Sequence, residues 1–282
     1  MEIGTADEGL LPALAQRLPA GMTLYVAARD GAPLEDVVRV ACSAQSLGFQ
    51  ASPHVVARRL ASERALRGAL QELTDAGVEQ VLVIAGEDAV PSGKFASALE
   101  LLETGAIVDA GIRRIAVAGF PQGHRVIGPA RLLQALRAKQ AFADATGTRV
   151  HIVTQFGFNP AAVCAWAAGL ARAGVSLPVH AGIAGPMPLP RLIQLAMQHS
   201  PPGTLASLMT HLTAMSHRVQ PATAPGEILA ALERQCRLAA CGNLVLPHFY
   251  SFGGAVTTAS WLRAVMDGTV DLSHASPAGA AR

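Results

Sequence analysis

Short runs rich in Val and Ile, apolar on both faces rather than on one, recur along this chain with helical stretches between them. The runs are TLYVAA (Thr23 to Ala28), ASPHVV (Ala51 to Val56), QVLVIAG (Gln80 to Gly86), RRIAVAGF (Arg113 to Phe120), RVHIVTQF (Arg149 to Phe156), LPVHAGI (Leu177 to Ile183) and NLVLPHFYSF (Asn243 to Phe252). A strand that is apolar on both faces must be covered on both, and that is the condition of a parallel sheet under helices. The intervening stretches carry apolar residues at three- and four-residue spacing. The segment LASERALRGALQELTDAG predicts a helix from about Ser62 to Ala76, with Gly77 as its stop. A second helical pattern runs from Pro33 to Leu47. With MEIGT as a first strand the count reaches eight, which is what a (β/α)8 TIM barrel requires. An open doubly wound sheet is the runner-up, but no GxGxxG follows the first strand. The expected organisation is α/β: one barrel domain over 1–272, a helical elaboration from about Gln198 to Arg234, and a disordered tail, SHASPAGAAR, over 273–282.

Composition sets the class. Apolar residues make up 51% of the 282 and charged residues only 15%, enough for a large core. The formal charge of +2 and the absence of a basic run argue against nucleic acid as a partner. No apolar run reaches the roughly 18 residues of a membrane helix, and MEIGTADEGLL has no signal-peptide character. Cys42, Cys164, Cys236 and Cys241 show neither CxxC spacing nor a sequence-adjacent ligand, so they read as reduced thiols of a cytoplasmic protein. The apolar richness and the helical elaboration together hint at a homo-oligomer.

In a barrel of this kind, functional groups sit where strands end. Here the first strand carries Glu2, and the third ends at His54. The fourth ends at Glu87 and Asp88, and the fifth at Phe120 with His124 just after. The sixth ends at Thr154 and Gln155, the seventh carries His180, and the eighth carries His248 and Tyr250. Polar groups at successive strand ends stand out in a chain so poor in charge. Each also has a plain structural reading. A single strand histidine is usually a satisfied core group, Glu87 and Asp88 could cap a turn, and Asn159-Pro160 suits a helix start. The histidines show no HxH or HExxH spacing, so no metal is expected.

Five motifs in order give the strand ends a further meaning. SPHVV, VLVIAGEDAVPSGKFASAL, IAVAGFPQGH, HIVTQFGF and VHAGIAGPMP resemble the corresponding segments of the methylenetetrahydrofolate reductase family, from about Glu2 to Phe252. The resemblance implies reduction of 5,10-methylenetetrahydrofolate to 5-methyltetrahydrofolate with NAD(P)H. It implies that Gln155 pairs with the amide-like edge of the pterin, one acceptor and one donor to match it. Phe156 and Phe158 would stack on the ring, and His180 and Tyr250 would complete the substrate site. Glu2 would be the acid that opens the five-membered ring, with a pKa raised by burial, Glu87 a second catalytic carboxylate, and Glu8 the fallback acid. His54, Asp88, Phe95, Phe120, His124 and Lys139 would bind the cofactor.

Members of that family usually hold flavin adenine dinucleotide, and several of the matching positions differ here. Ala27 stands for a Thr, Ala85 for an Arg, Phe120 for a Tyr and Gln122 for a Glu. Losing a guanidinium that forks onto a pyrophosphate, together with two hydroxyls at about 1 kcal/mol each, weakens flavin binding by orders of magnitude. The pattern is similar to a divergent short bacterial branch for which flavin-independent reduction has been proposed, so FAD is expected to be weak or absent. Two other readings stand beside this one. One is a non-catalytic folate-binding partner of a methyltransferase system; the other is a barrel lyase using Lys139 as a Schiff-base amine.

Overall fold

In the computed structural model, which describes residues 1–28, 31–86, 91–199, 224–239 and 241–270, eight parallel strands close into a barrel in sequence order. The strands are β1 (Glu2–Gly4), β2 (Thr23–Ala27), β3 (Gln50–Val56), β4 (Gln80–Ile84), β5 (Arg114–Gly119), β6 (Arg149–Phe156), β7 (Val179–Ala184) and β8 (Leu244–Tyr250). The fold is the (β/α)8 barrel that the alternating runs require. Glu87, Asp88 and the tail from Ser273 lie outside the described residues, as does 200–223 within the expected helical elaboration.

Strand residues divide cleanly by face. Ile3, Leu24, Val26, Val81, Val83, Ile115, Val117 and Ile152 point outward and are buried in one core with the helices. Tyr25, Leu82, Ala116 and Val153 point inward and form a separate cluster on the barrel axis. The helical layer begins with α1 (Leu11–Ala15), α2 (Leu34–Ser46), α3 (Glu63–Asp75), α4 (Ala98–Glu103) and α5 (Ala106–Asp109). It continues with α6 (Pro129–Thr146), α7 (Pro160–Arg172), α8 (Leu189–His199), α9 (Ala224–Ala239) and α10 (Ala255–Met266).

α3 shows how the sequence builds this layer. The Ser62 hydroxyl caps it by accepting from the Ala65 amide at 3.1 Å. Leu66, Leu70 and Leu73, at three- and four-residue spacing, are fully buried against the barrel. Each such leucine stabilises the fold by about 1.5–3 kcal/mol relative to exposure. The helix stops where Gly77 takes a left-handed φ of 81°, which a side chain would oppose.

Two irregularities shape the mouth of the barrel, where the strands end. β6 carries an extra residue opposite β7: Val153 pairs with His180, yet Phe156 pairs with Gly182. This bulge is stitched by the Gly182 amide donating to Thr154 Oγ1 at 2.8 Å and by the Tyr250 hydroxyl donating to the Thr154 carbonyl at 2.8 Å. β1 is only three residues long, and the barrel closes through one pairing, Glu2 with Tyr250.

Candidate functional site

The inside of this barrel is polar. TIM barrels usually fill this space with branched aliphatic side chains; here Glu2, Tyr25, Ser52, His54, Gln80, His151 and His248 are all buried. Glu2 lies at the centre. His54 Nε2 comes to 3.4 Å and His248 Nε2 to 3.6 Å of the same carboxylate oxygen, Oε2, both longer than a well-made hydrogen bond. Among the described residues, neither imidazole nitrogen has another hydrogen-bond partner. Burial opposes ionisation of Glu2, but the two imidazoles outweigh it and hold the carboxyl well below its ordinary range. The expectation of a raised pKa is therefore overturned: burial acts as anticipated, but two flanking histidines do more. The fallback acid is also displaced. Glu8 pairs with Arg39 on α2 and accepts from Ser43 at 3.3 Å, outside the barrel.

From Glu2 a continuous set of rings runs through the interior. Tyr250 and Tyr25 each pack edge-on to His248 at 4.6 Å. The Tyr25 hydroxyl shares a 2.9 Å hydrogen bond with His151 Nε2, and His151 lies 4.3 Å from the His180 ring. Desolvation lowers the pKa of His248 to about 4, that of His180 to about 4 and that of His151 to about 3, helped in the last two by neighbouring histidines. All three are neutral at pH 7. His180, expected at the substrate, instead occupies the second residue of β7 and stacks on His151, well before the strand end.

The β6 bulge decides what the mouth presents. Phe156 and Phe158 are 4% and 2% exposed and pack edge-to-face at 5.8 Å. They belong to the outer core, and neither leaves a face open to a flat ligand, contrary to the stacking role expected of them. The bulge turns Thr154 into a structural stitch and leaves Gln155 half-buried at the strand end. The half-buried aromatic pair at this end is Tyr250 and Phe252, whose rings stack at 5.5 Å with 19° between planes. Phe252 is the one described non-glycine residue with positive φ, 47°. Such strain is tolerated where surrounding structure enforces it, commonly at functional sites. Phe156 supports the pair from beneath, 5.0 Å from Phe252 and 5.9 Å from Tyr250.

A cavity of about 360 Å³ lies at the ends of β2 and β3, lined by Ala28, Pro33, His54, Val56, Arg59 and Ser92 among others. His54 thus faces both the cavity and Glu2. The remaining cofactor positions are scattered. Phe95 is 4% exposed, within the outer core. Phe120 packs edge-on to His124, whose Nδ1 accepts from the amides of Val126 and Ile127 and so shapes the loop before α6. Lys139 is buried on α6, and desolvation brings its pKa down to about 8; neither it nor Phe95 lines the cavity.

Ala27 is buried at the end of β2 and supplies no hydroxyl. Among the described residues, the single guanidinium lining the cavity, that of Arg59, already donates to the Ala28 carbonyl at 3.1 Å.

No family model matches the chain. Among solved structures it is similar to the dihydropteroate synthase of Thermus thermophilus. In complex with 6HMPPP, that protein gives a TM-score of 0.51 at 12% identity, over 95% of this chain and 90% of that one. Another structure of the same synthase gives 0.48 at 11% identity, over 95% and 92%. At such identity the likeness is one of fold. Among the described residues, no helix is long and apolar enough to cross a membrane.

Sequence reading brought out Glu2, His54, Gln155 and Tyr250, which the fold gathers at one end of the barrel. It missed Tyr25, His151 and Phe252. The first two lie mid-strand, where both faces are buried and the inward one has no distinguishing periodicity. Phe252 lies past the end of β8, and only its backbone conformation sets it apart.

Proposed function

We propose that this chain reduces 5,10-methylenetetrahydrofolate to 5-methyltetrahydrofolate, taking hydride directly from a reduced nicotinamide nucleotide. The observation that carries this reading is the β6 bulge, which leaves Gln155 at the strand end next to Thr154, whose carbonyl accepts from Tyr250 of the Tyr250–Phe252 pair. An amide that offers one donor and one acceptor suits the edge of a pterin, and a stacked aromatic pair suits its face. The fold is also one on which a dihydropteroate synthase is built.

In the proposed reaction N10 of the substrate takes up a proton and its bond to the methylene carbon breaks, leaving a cationic N5 iminium. Hydride from the nicotinamide then adds to that carbon, forming the methyl group and the oxidised nucleotide. An ionised Glu2 stabilises the iminium charge in a low-dielectric site. His54, between Glu2 and the cavity, is the group best situated to pass the proton to N10; its long contact to Glu2 is of the kind that tightens when substrate binds. Ala27 and Ala85, which offer neither a hydroxyl nor a guanidinium to a flavin dinucleotide, favour one-step transfer.

The test is anaerobic oxidation of NADH and of NADPH by flavin-free protein, with and without methylenetetrahydrofolate, and again with added FAD. Folate-dependent oxidation without FAD is the expected result. Turnover only with FAD would overturn the direct route. Folate binding with no turnover under either condition would replace the reductase with a non-catalytic folate-binding protein.

A further inference from the structure

Three of the four cysteines, far apart in sequence, meet in the helical layer. Cys164 is on the second turn of α7, Cys236 is on the last turn of α9, and Cys241 precedes β8 by three residues. Their sulfurs all lie within 4.8 Å of one another, with Cys164 Sγ and Cys236 Sγ 3.2 Å apart. Cys164 and Cys241 are buried and Cys236 is partly so. Two of the elements that carry them are also held by other side chains. The Asn159 side chain caps α7 by accepting from the Ala162 amide at 3.0 Å, and Asn243 Nδ2 donates to the Ala167 carbonyl at 3.0 Å. The thiols add to this: Cys241 Sγ donates to the Cys164 carbonyl at 3.2 Å, and Cys164 Sγ reaches the Leu232 carbonyl on α9 at 4.0 Å.

We propose that Cys164, Cys236 and Cys241 form a three-thiolate site for a thiophilic d10 cation of the zinc class. A zinc ion bound at about 2.3 Å to each of three sulfurs sets them roughly 3.8 Å apart in tetrahedral geometry. The observed spacing brackets that separation, so small rotations of the side chains complete the site. Among the described residues the ligand set is sulfur alone, with no carboxylate or imidazole in the group, and that softness selects zinc or copper(I) over magnesium or calcium. A water would fill the fourth position. A disulfide between Cys164 and Cys236 needs their sulfurs to close to about 2.05 Å and leaves the Cys241 sulfur outside the bond, whereas a cation employs all three. Cys241 stands at the start of β8, the end of the barrel opposite the mouth. The site therefore fastens α7, α9 and the entry to β8, apart from the chemistry at the strand ends.

The test uses the full chain, reduced and anaerobic, titrated with cadmium(II) as the spectroscopic probe and zinc(II) as competitor. The expected result is a sulfur-to-cadmium charge-transfer absorption that saturates at one equivalent, is abolished by zinc, and is accompanied by a raised Tm. Cys164→Ser, Cys236→Ser and Cys241→Ser each weaken binding at least tenfold, while Cys42→Ser leaves it unchanged. Absence of the absorption at one equivalent in the unsubstituted protein overturns the proposal without recourse to any variant. So does an undiminished absorption in the three Ser variants. A Cys164–Cys236 disulfide found by peptide mapping, with no cation bound after its reduction, would identify a redox pair instead.

Discussion

Tyr250 and Phe252, two residues apart at the end of β8, lie ring on ring at 5.5 Å, and the Phe252 backbone turns left-handed there, with φ at 47°. That conformation costs a residue with a Cβ about 1–2 kcal/mol, and glycine almost nothing. Phe252→Gly is therefore expected to be more stable than Phe252→Ala, by about 1 kcal/mol in urea unfolding. Both variants lose the stacked pair, and the KM for the folate should rise about tenfold in each. Equal stability of the two would show that the left-handed turn carries no strain.

Acid should destabilise the protein in two separate steps. His151, His180 and His248 have folded pKa values below the ordinary 6.5, so the unfolded chain binds more protons than the native one between about pH 6.5 and 4. By linkage, stability rises with pH across that window and is flat above it. Glu2, also depressed, contributes stability above the ordinary carboxylate range, and this is lost only as pH falls through its lower folded value. Unfolding free energies from urea titrations at pH 7.5 and pH 5 should differ by roughly 2 kcal/mol or more. A value unchanged between them would mean that these imidazoles are not buried in their neutral forms.

Gln155→Ala should raise the KM for the folate by one to two orders of magnitude, as loss of a paired amide costs about 1–3 kcal/mol when its partners are buried. The affinity for nicotinamide nucleotide should hardly change. A larger effect on the nucleotide than on the folate would place the amide at the other substrate.

Thr154→Val removes the acceptor for the Gly182 amide and should destabilise the protein by about 1–3 kcal/mol. Gly182→Ala attacks the same bulge from across the sheet, since its Cβ would come within 2.4 Å of the Thr154 carbonyl oxygen and 2.8 Å of the Gln155 backbone. A comparable loss from overpacking is expected. Both should impair folate binding beyond what stability explains, measurable as a raised KM at a temperature where each is fully folded.

Glu2→Gln keeps the shape of the side chain and removes its charge. We expect kcat to fall by about two to four orders of magnitude with KM nearly unchanged, the signature of a group that acts on a developing charge. An unaltered kcat would remove Glu2 from the chemistry.

The sequence made the barrel legible because a strand covered on both faces and a helix with one apolar stripe leave different local patterns. Thus TLYVAA and LASERALRGALQELTDAG announce β2 and α3 directly. The strand-end position of Gln155 was legible for the same reason. The bulge was not, because it depends on the pairing of β6 with β7, and so Phe156 and Phe158 were assigned a ligand when they fill the core. The polar interior was hidden too. His151 sits among Val150, Ile152 and Val153 in a run apolar on both faces, and nothing local tells the axial side from the helical side. The thiol cluster was the least legible, since 72 residues separate Cys164 from Cys236 and only packing of α7 on α9 joins them.

The barrel's seam and its carboxylate are the same residue. Closure between β1 and β8 runs through the pairing of Glu2 with Tyr250, reinforced by the Ser251 amide donating to the Glu2 carbonyl at 3.3 Å. Loosening that one junction unzips the cylinder and in the same movement carries the carboxylate away from His248 on β8. Damage to the architecture and loss of function should then have one onset, so that heating or denaturant yields no half-open form that still turns over.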